Sequence, residues 1–433
     1  MAKYWLETLG CPKNQVDSDR LMGRLESGGF EEADGVKSAD VVVVNTCAFI
    51  DAAREESIET ILELASVKSN GAKLVVTGCL AQRYYDELVE TMPEIDIVAR
   101  FGEDFTEAVM LGNTILRKSK AGQDSQTQGP TQLPTMDLLR LPRRKSQSPW
   151  AYVKVAEGCN KSCGFCSIPS FRGRQVSKSI EEIEREVSDL AIQEVILVAQ
   201  DLANYGIDIY GHSDLVTLYD KISNIAPWVR LLYVYPTGLT DELMERVAWS
   251  DVPYFDLSLQ HVSAKHLRRM RRIGSSKTVL AKIKKIRSLR PDAVFRTSFI
   301  LGYPGESEED QEILKDFIEE AELDWVGFFP YSLEQDTFAA GLSDQVDRSL
   351  AVERINELSE VQDRITRLKR MSLIGKEVTV LMDNDGRARS FREAPEIDGV
   401  CFVNASVTAG NFVTGNVVDI NGVDLVIGAI KKL

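Results

Sequence analysis

The chain has 433 residues, 44% of them hydrophobic and 27% charged, with a net charge of −15. That length suits about two to four domains, and no run of about 18 uncharged apolar residues offers a membrane-spanning helix. The opening Met-Ala-Lys-Tyr-Trp-Leu-Glu lacks a secretory pattern, so a cytoplasmic protein without a membrane partner is expected, and seven cysteines read as metal ligands rather than a disulfide framework.

Residues 1–110 repeat a strand–helix rhythm. Tyr4–Leu9 is strand-like and precedes a helical stretch from Ser18 to Ser27. Asp40–Asn45 carries four consecutive valines, as a strand buried on both faces would. An amphipathic helix follows over Asp51–Ser69, then a third strand at Lys73–Thr77 and a helix at Gln82–Thr91. Such alternation predicts a parallel sheet. Residues 111–149 read as a linker rich in Gln, Ser, Thr and Pro.

From Trp150 the alternation resumes. Six strands are predicted, at Ala151–Val155, Glu194–Val198, Arg230–Tyr235, Tyr254–Leu259, Val294–Ile300 and Val326–Tyr331, with helices between them. Six strand–helix units predict an open (β/α)6 barrel over 150–371, with chemistry at the carboxyl ends of its strands. A long charged helix, Ser349–Met371, closes it. Residues 372–433 change to short strands at Glu377–Met382, Gly399–Val403, Asn416–Ile420 and Leu425–Ala429. They predict a small all-β barrel of OB-like size. The fold class is thus α/β, with a small β-barrel at the end.

Two cysteine sets stand out. Gly158-Cys-Asn-Lys-Ser-Cys-Gly-Phe-Cys166 places three thiols in one short loop after a strand. Three thiolates can hold three irons of a four-iron cubane and leave the fourth open. Structural zinc is the alternative, but it wants four ligands, and no fourth Cys or His lies nearby. Cys11, Cys47 and Cys79 each end a predicted strand. If those strands are parallel, the three thiols share the carboxyl edge where open α/β sheets bind ligands. They either hold a second cluster or are three small buried hydrophobes.

The cysteine loop and its barrel resemble the radical S-adenosylmethionine superfamily. The resemblance then widens to nearly the whole chain. Gly10-Cys-Pro-Lys-Asn14, Asn45-Thr-Cys-Ala-Phe-Ile50 and Gly78-Cys-Leu-Ala-Gln-Arg83 are similar to the three cysteine motifs of the methylthiotransferase family. Phe171-Arg-Gly-Arg174, Leu259-Gln-His261 and Phe299-Ile-Leu-Gly-Tyr-Pro-Gly-Glu306 are similar to other motifs of that family, and the last segment resembles its TRAM domain. Ser258 before Leu-Gln-His, Lys178 and Ala99-Arg-Phe101 depart from the family pattern.

The resemblance implies two 4Fe–4S clusters. One, on Cys159, Cys163 and Cys166, binds S-adenosylmethionine, which one electron from a flavodoxin or ferredoxin cleaves to a deoxyadenosyl radical. The other, on Cys11, Cys47 and Cys79, holds the sulfur that is transferred after a second S-adenosylmethionine has methylated it. Gly-Cys-Pro-Lys-Asn, Glu157-Gly-Cys159 and Ala394-Pro-Glu-Ile-Asp-Gly399 resemble the branch acting on the β-carbon of an aspartate in small-subunit ribosomal protein S-twelve. The other branch acts on a tRNA adenosine. Residues 1–110 carry a net charge of −11 and the whole chain −15, which works against a polyanion and favours a basic partner. Glu393, Glu396 and Asp398 are expected to add an acidic face to the terminal barrel. A cluster-bearing redox sensor without turnover is the remaining alternative. By position, Gln200, Asp201 and Asn204 at one strand end, and Gly302 and Glu306 at another, are candidate cofactor contacts. The protein is expected to act as a monomer. Cys401 is expected in the core, and His212 and His266 at the surface. His261, after a strand, is a candidate for the site. The run Arg268-Arg-Met-Arg-Arg272 reads as a solvated helix face or a phosphate grip.

Overall fold

The computed structural model describes residues 1–110 and 133–432. They fall into two compact units: Met1–Lys145 with Ser167–Gly173, and Ser146–Cys166 with the remainder from Arg174 onward. Among the described residues no helix is long and apolar enough to cross a membrane.

The first unit is a parallel five-stranded sheet. Its strands are β1 (Lys3–Thr8), β2 (Glu31–Glu32), β3 (Val41–Thr46), β4 (Lys73–Gly78) and β5 (Ile97–Val98), in the order β2-β1-β3-β4-β5. Its helices are α1 (Pro12–Ser27), α2 (Asp51–Val67), α3 (Cys79–Arg83), α4 (Tyr85–Thr91), α5 (Thr106–Met110) and α6 (Ile168–Arg172). The valine run of β3 serves both faces. Val42 and Val44 pack with Leu74, Val76 and Ile61, while Val41 and Val43 pack with Val75, Leu21 and Leu25. Each such fully buried valine contributes roughly 1.5–3 kcal/mol.

Part of the expected linker, residues 111–132, lies outside the described residues. The rest corrects the reading of 111–149 as a linker throughout. Leu133 and Leu138 enter the core beside Tyr4 and Phe105, Met136 N donates to Gly102 O at 2.6 Å, and Arg143 pairs with Asp19. A few leucines anchor a segment whose composition is otherwise polar.

The second unit holds six parallel strands: β6 (Trp150–Lys154), β9 (Glu194–Val198), β10 (Trp228–Leu231), β11 (Tyr254–Gln260), β12 (Val294–Leu301) and β13 (Trp325–Pro330). A small antiparallel pair, β7 (Ala156–Glu157) and β8 (Val176–Ser177), follows β6. The helices are α7 (Ile180–Leu190), α8 (Ile207–Tyr210), α9 (Leu215–Ser223), α10 (Asp241–Ala248), α11 (Ala264–Arg269), α12 (Ser276–Leu289), α13 (Glu308–Ala321) and α14 (Arg348–Met371). The strands form two rows, β10-β9-β6 and β11-β12-β13, joined by a parallel bridge between Val234 and Leu257. Spatial order thus follows chain order, as a (β/α)6 barrel requires. The third strand is shorter than the predicted Arg230–Tyr235 because Tyr233 takes a φ of 65° there, held by its N–H on Asp256 Oδ2 at 2.9 Å.

The C-terminal barrel closes with five strands, β14 (Glu377–Asn384), β15 (Arg387–Ser390), β16 (Cys401–Val403), β17 (Phe412–Asn421) and β18 (Asp424–Lys432), in the order β14-β15-β16-β18-β17. The strand missing from the sequence reading, β15, spells Arg-Ala-Arg-Ser. Its Arg389 is buried and forks onto Asp383 with contacts of 2.7 and 2.8 Å. It also pairs with Glu194 of β9, which takes Arg230 Nε at 2.8 Å on its other oxygen. Burial alone would push the Glu194 carboxyl up. Arg389 and Arg230 outweigh it and hold that carboxyl below its ordinary range.

The acidic face expected at Glu393, Glu396 and Asp398 is not formed. Glu393 is fully buried on Arg370 and Ser390. Asp398 accepts from Ala394 N at 2.8 Å and lies 3.4 Å from Arg296. Of the three, only Glu396 is exposed. The segment fastens the small barrel to the large one: Tyr152 Oη donates to Pro395 O at 2.8 Å, and Trp325 Nε1 to Arg392 O at 2.8 Å.

Candidate metal centres

Strands β1, β3 and β4 are neighbours in register, with Thr8 opposite Asn45 and Thr46 opposite Gly78. Cys11, Cys47 and Cys79 therefore leave one edge of one sheet. Cys11 caps α1 ahead of Pro12, and Cys79 opens α3. The glycine before each is dictated by Cys47 and its strand. Gly10 has a φ of 92°, and a Cβ there would lie 2.6 Å from Cys47 Cβ. Gly78 has a φ of 93°, and a Cβ there would lie 2.5 Å from both Asn45 Oδ1 and Thr46 O. Only glycine suits such a backbone this close to a neighbour.

Asn14 ties the edge together. Its amide donates to Leu9 O at 2.9 Å and Thr46 O at 3.0 Å, and its Oδ1 accepts from Arg172 Nη2 at 2.9 Å. Arg172, in α6 of the same unit, also places that nitrogen 3.0 Å from Cys79 Sγ and pairs with the buried Asp17 at 3.2 Å. Burial raises the thiols of Cys47 and Cys79, and the neighbouring cysteines push Cys47 further, up to about 12. Burial works the same way on Cys11, but Lys13, the Asn14 N–H and Arg172 outweigh it and lower that thiol. Three thiols near enough to repel one another as thiolates form a site that a cationic centre would stabilise.

The second set lies in the loop after β7. Lys161 N points at Cys159 Sγ from 3.4 Å, Cys166 N donates to Cys163 O at 3.1 Å, and Gly164 N to Met270 O at 2.9 Å. Burial pushes the Cys159 thiol up to about 11. Arg272 Nη1 lies 3.3 Å from Cys163 Sγ. Among the described residues no three cysteine sulfurs fall within 4.8 Å of one another, whereas a tetrahedral zinc with bonds of about 2.3 Å gathers its sulfurs to about 3.8 Å. Both triads are wider than a single-ion site, and three thiols with N–H groups aimed at sulfur suit an iron–sulfur cluster.

Gln200, Asp201 and Asn204 follow β9. Gln200 Nε2 donates to Glu157, and Asn204 Nδ2 to Asp201 Oδ2 at 2.6 Å. Gln200 Oε1 and Asp201 Oδ1 are buried without a protein hydrogen-bond partner, which leaves both acceptors open to a ligand or a water. Gly302 and Glu306 lie elsewhere, in the turn after β12. The close approach at Gly302 is made by Ala351 of α14. Glu306 takes the Gly302 N–H at 3.0 Å and pairs with Arg354 at 2.7 Å. Beside it sit His261 and His266, both 1% exposed. His266 is thus buried rather than at the surface. Cys401 is in the core of the small barrel. Two residues that position alone did not single out are Arg172 and Arg272. The first stood in the quoted Phe-Arg-Gly-Arg motif without a role. The second ended a basic run whose helix stops three residues earlier.

Three family profiles match this chain: the uncharacterized protein family UPF0004 over residues 3–100, the radical SAM superfamily over 153–317, and the TRAM domain over 374–430. A solved radical S-adenosylmethionine methyltransferase, TsrM from Kitasatospora setae, shares the fold at a TM-score of 0.52 and 14% identity, covering 76% of this chain and 75% of its own. The ribosomal protein uS12 methylthiotransferase RimO of Moorella thermoacetica is 43% identical over 100% of both chains. The protein of that name from Thermotoga maritima is 41% identical over 94% of this chain and 95% of its own. That from Aquifex aeolicus is 40% identical over 93% and 91%. The chain therefore belongs to the RimO family of ribosomal protein uS12 methylthiotransferases.

Proposed function

We propose that this chain methylthiolates the β-carbon of an aspartate in ribosomal protein uS12, the S-twelve protein of the small ribosomal subunit. What carries the reading is the pair of three-thiol groups at carboxyl edges of parallel strands, in a chain 43% identical throughout to a uS12 methylthiotransferase. In this reading Cys159, Cys163 and Cys166 hold one 4Fe–4S cluster, and Cys11, Cys47 and Cys79 hold a second. With both bound, reductive cleavage of S-adenosylmethionine supplies a radical able to take hydrogen from an unactivated carbon, and the second cluster supplies the sulfur.

The chain's own residues bind and orient. Gln200 Oε1 and Asp201 Oδ1 accept from the ammonium or ribose hydroxyls of S-adenosylmethionine, and Asn204 fixes the Asp201 carboxylate for that task. Gly302 and Glu306 shape the turn after β12, three strands further along the barrel. Arg172 and Arg272 offset thiolate charge at Cys79 and Cys163. The working division is 1–110 for the second cluster, 111–149 as connector, 150–371 for the radical chemistry and 372–433 for the TRAM barrel. The enzyme works as a cytoplasmic monomer and takes electrons from a flavodoxin or ferredoxin.

The test is anaerobic reconstitution, followed by S-adenosylmethionine, reductant, and small ribosomal subunits or tRNA offered in parallel. A gain of about 46 Da, one SCH2, on uS12 is expected. The same gain on tRNA alone would overturn the substrate, and the absence of deoxyadenosine would overturn the enzyme reading in favour of a sensor.

A further inference from the structure

Arg272 lies just beyond α11, where Arg271 takes a φ of 55° and Arg272 N donates to Leu267 O at 2.8 Å. The turn carries the guanidinium inward, and the residue is 6% exposed. Three contacts then fix it. Nη2 donates to the backbone oxygen of Ser258, Cζ lies over the Tyr235 ring 4.0 Å from its centre, and Nη1 points at Cys163 Sγ from 3.3 Å. Lys161 approaches the same ring, 4.7 Å from its centre. A lysine could make one of these contacts. A planar fork that stacks while donating in two directions is peculiar to arginine.

We infer that Arg272 is a positioning residue whose N–H on the Cys163 sulfur raises the reduction potential of the cluster on Cys159, Cys163 and Cys166. The inference rests on the proposed cluster assignment and deepens it. A hydrogen bond to a ligating thiolate withdraws electron density from it. It favours the reduced, more negative cluster over the oxidised one, and burial strengthens the effect by keeping water from competing. The donor is set before any substrate arrives, because Ser258 and Tyr235 hold the guanidinium from two other sides. Cleavage of S-adenosylmethionine starts with an electron entering this cluster, so the arginine eases delivery from a weakly reducing donor.

The experiment is a redox titration of the reconstituted full-length protein, following the electron paramagnetic resonance signal that S-adenosylmethionine perturbs. Arg272→Met is expected to shift the reduction equilibrium at least tenfold toward the oxidised cluster, a fall of 59 mV for one electron. Arg272→Lys should fall between. Arg271→Met, which removes an exposed arginine beside it, should leave the midpoint in place. If Arg272→Met loses iron, Tyr235→Leu carries the same test, since it removes the ring that steadies the guanidinium and leaves the arginine and the cysteines in place. A midpoint unchanged in these variants, or moved equally by Arg271→Met, overturns the inference. A wild-type protein with no such signal overturns instead the cluster assignment beneath it.

Discussion

Replacing Arg172 with alanine tests how the first unit is held at its cysteine edge. The Arg172 and Asp17 side chains are 2% and 1% exposed, and the guanidinium also donates to Asn14 Oδ1 and Cys79 Sγ and stacks on Phe101 at 3.9 Å. Breaking a buried ion pair from one side costs about 3–5 kcal/mol. The lower end applies here, because Asn14 keeps its own bonds to Leu9 O and Thr46 O. A loss of about 3 kcal/mol is roughly a hundredfold in the opening equilibrium. Hydrogen exchange followed by mass spectrometry on the Val41–Thr46 amides reads it directly, since these belong to the central, fully buried strand of that unit. Arg172→Lys, which keeps the charge without the fork, should recover part of the protection. The Cys79 thiol, which Arg172 draws down against burial, should bind iron less readily in the alanine variant. Exchange within about threefold of wild type in Arg172→Ala would refute the view that this residue holds the edge.

Cys11→Ala should lose about half the iron and still cleave S-adenosylmethionine, whereas Cys159→Ala should abolish cleavage; iron assay and deoxyadenosine chromatography check both. Gly78→Ala introduces about 1–3 kcal/mol of backbone strain and a methyl 2.5 Å from Thr46 O. It should lower iron content at the first unit without affecting cleavage. Glu194→Ala leaves two arginines in the barrel wall without their shared carboxylate and should destabilise the second unit by about 3–5 kcal/mol, seen in thermal melting. Adding Arg230→Met should restore part of the loss, because Arg389 keeps its fork on Asp383. Burial, then the nearby His266, holds His261 down to about 3 from its ordinary 6.5. The folded state therefore refuses a proton that the unfolded chain accepts. This contribution to stability is complete above pH 6.5 and declines as pH falls toward 3, by about 1.4 kcal/mol per unit. His261→Gln should flatten melting-temperature profiles between pH 6.5 and 4.5, and an unchanged slope would count against a neutral buried imidazole.

The strand-end positions of Cys11, Cys47 and Cys79 were legible because strand alternation alone implies a parallel sheet, and a parallel sheet brings all carboxyl ends to one edge. The six-stranded barrel was legible for the same reason. What stayed hidden depended on partners distant in sequence. Glu393 and Asp398 read as a charged surface, because composition counts charges without revealing the arginines that neutralise them. Strand β15 was missed because Arg389 breaks the apolar alternation while being buried by Asp383 and Glu194. His266 looked like a surface residue until Tyr303 and His261 closed over it. Leu133 and Leu138 were masked by their polar neighbours.

The pairing of Glu194 with Arg389 has a consequence for the order of events during synthesis. The carboxylate is placed in the second strand of the large barrel, but one of its two counter-charges is not translated until nearly two hundred residues later. Domains usually settle as they emerge, N-terminal parts first. Here the barrel wall cannot seal around Glu194 until the last domain is made and docked. The strands around Glu194 can pair long before that, but its carboxylate has only Arg230 as counter-charge until the small barrel arrives. A nascent chain stalled before Arg389 should engage chaperones that the finished protein escapes.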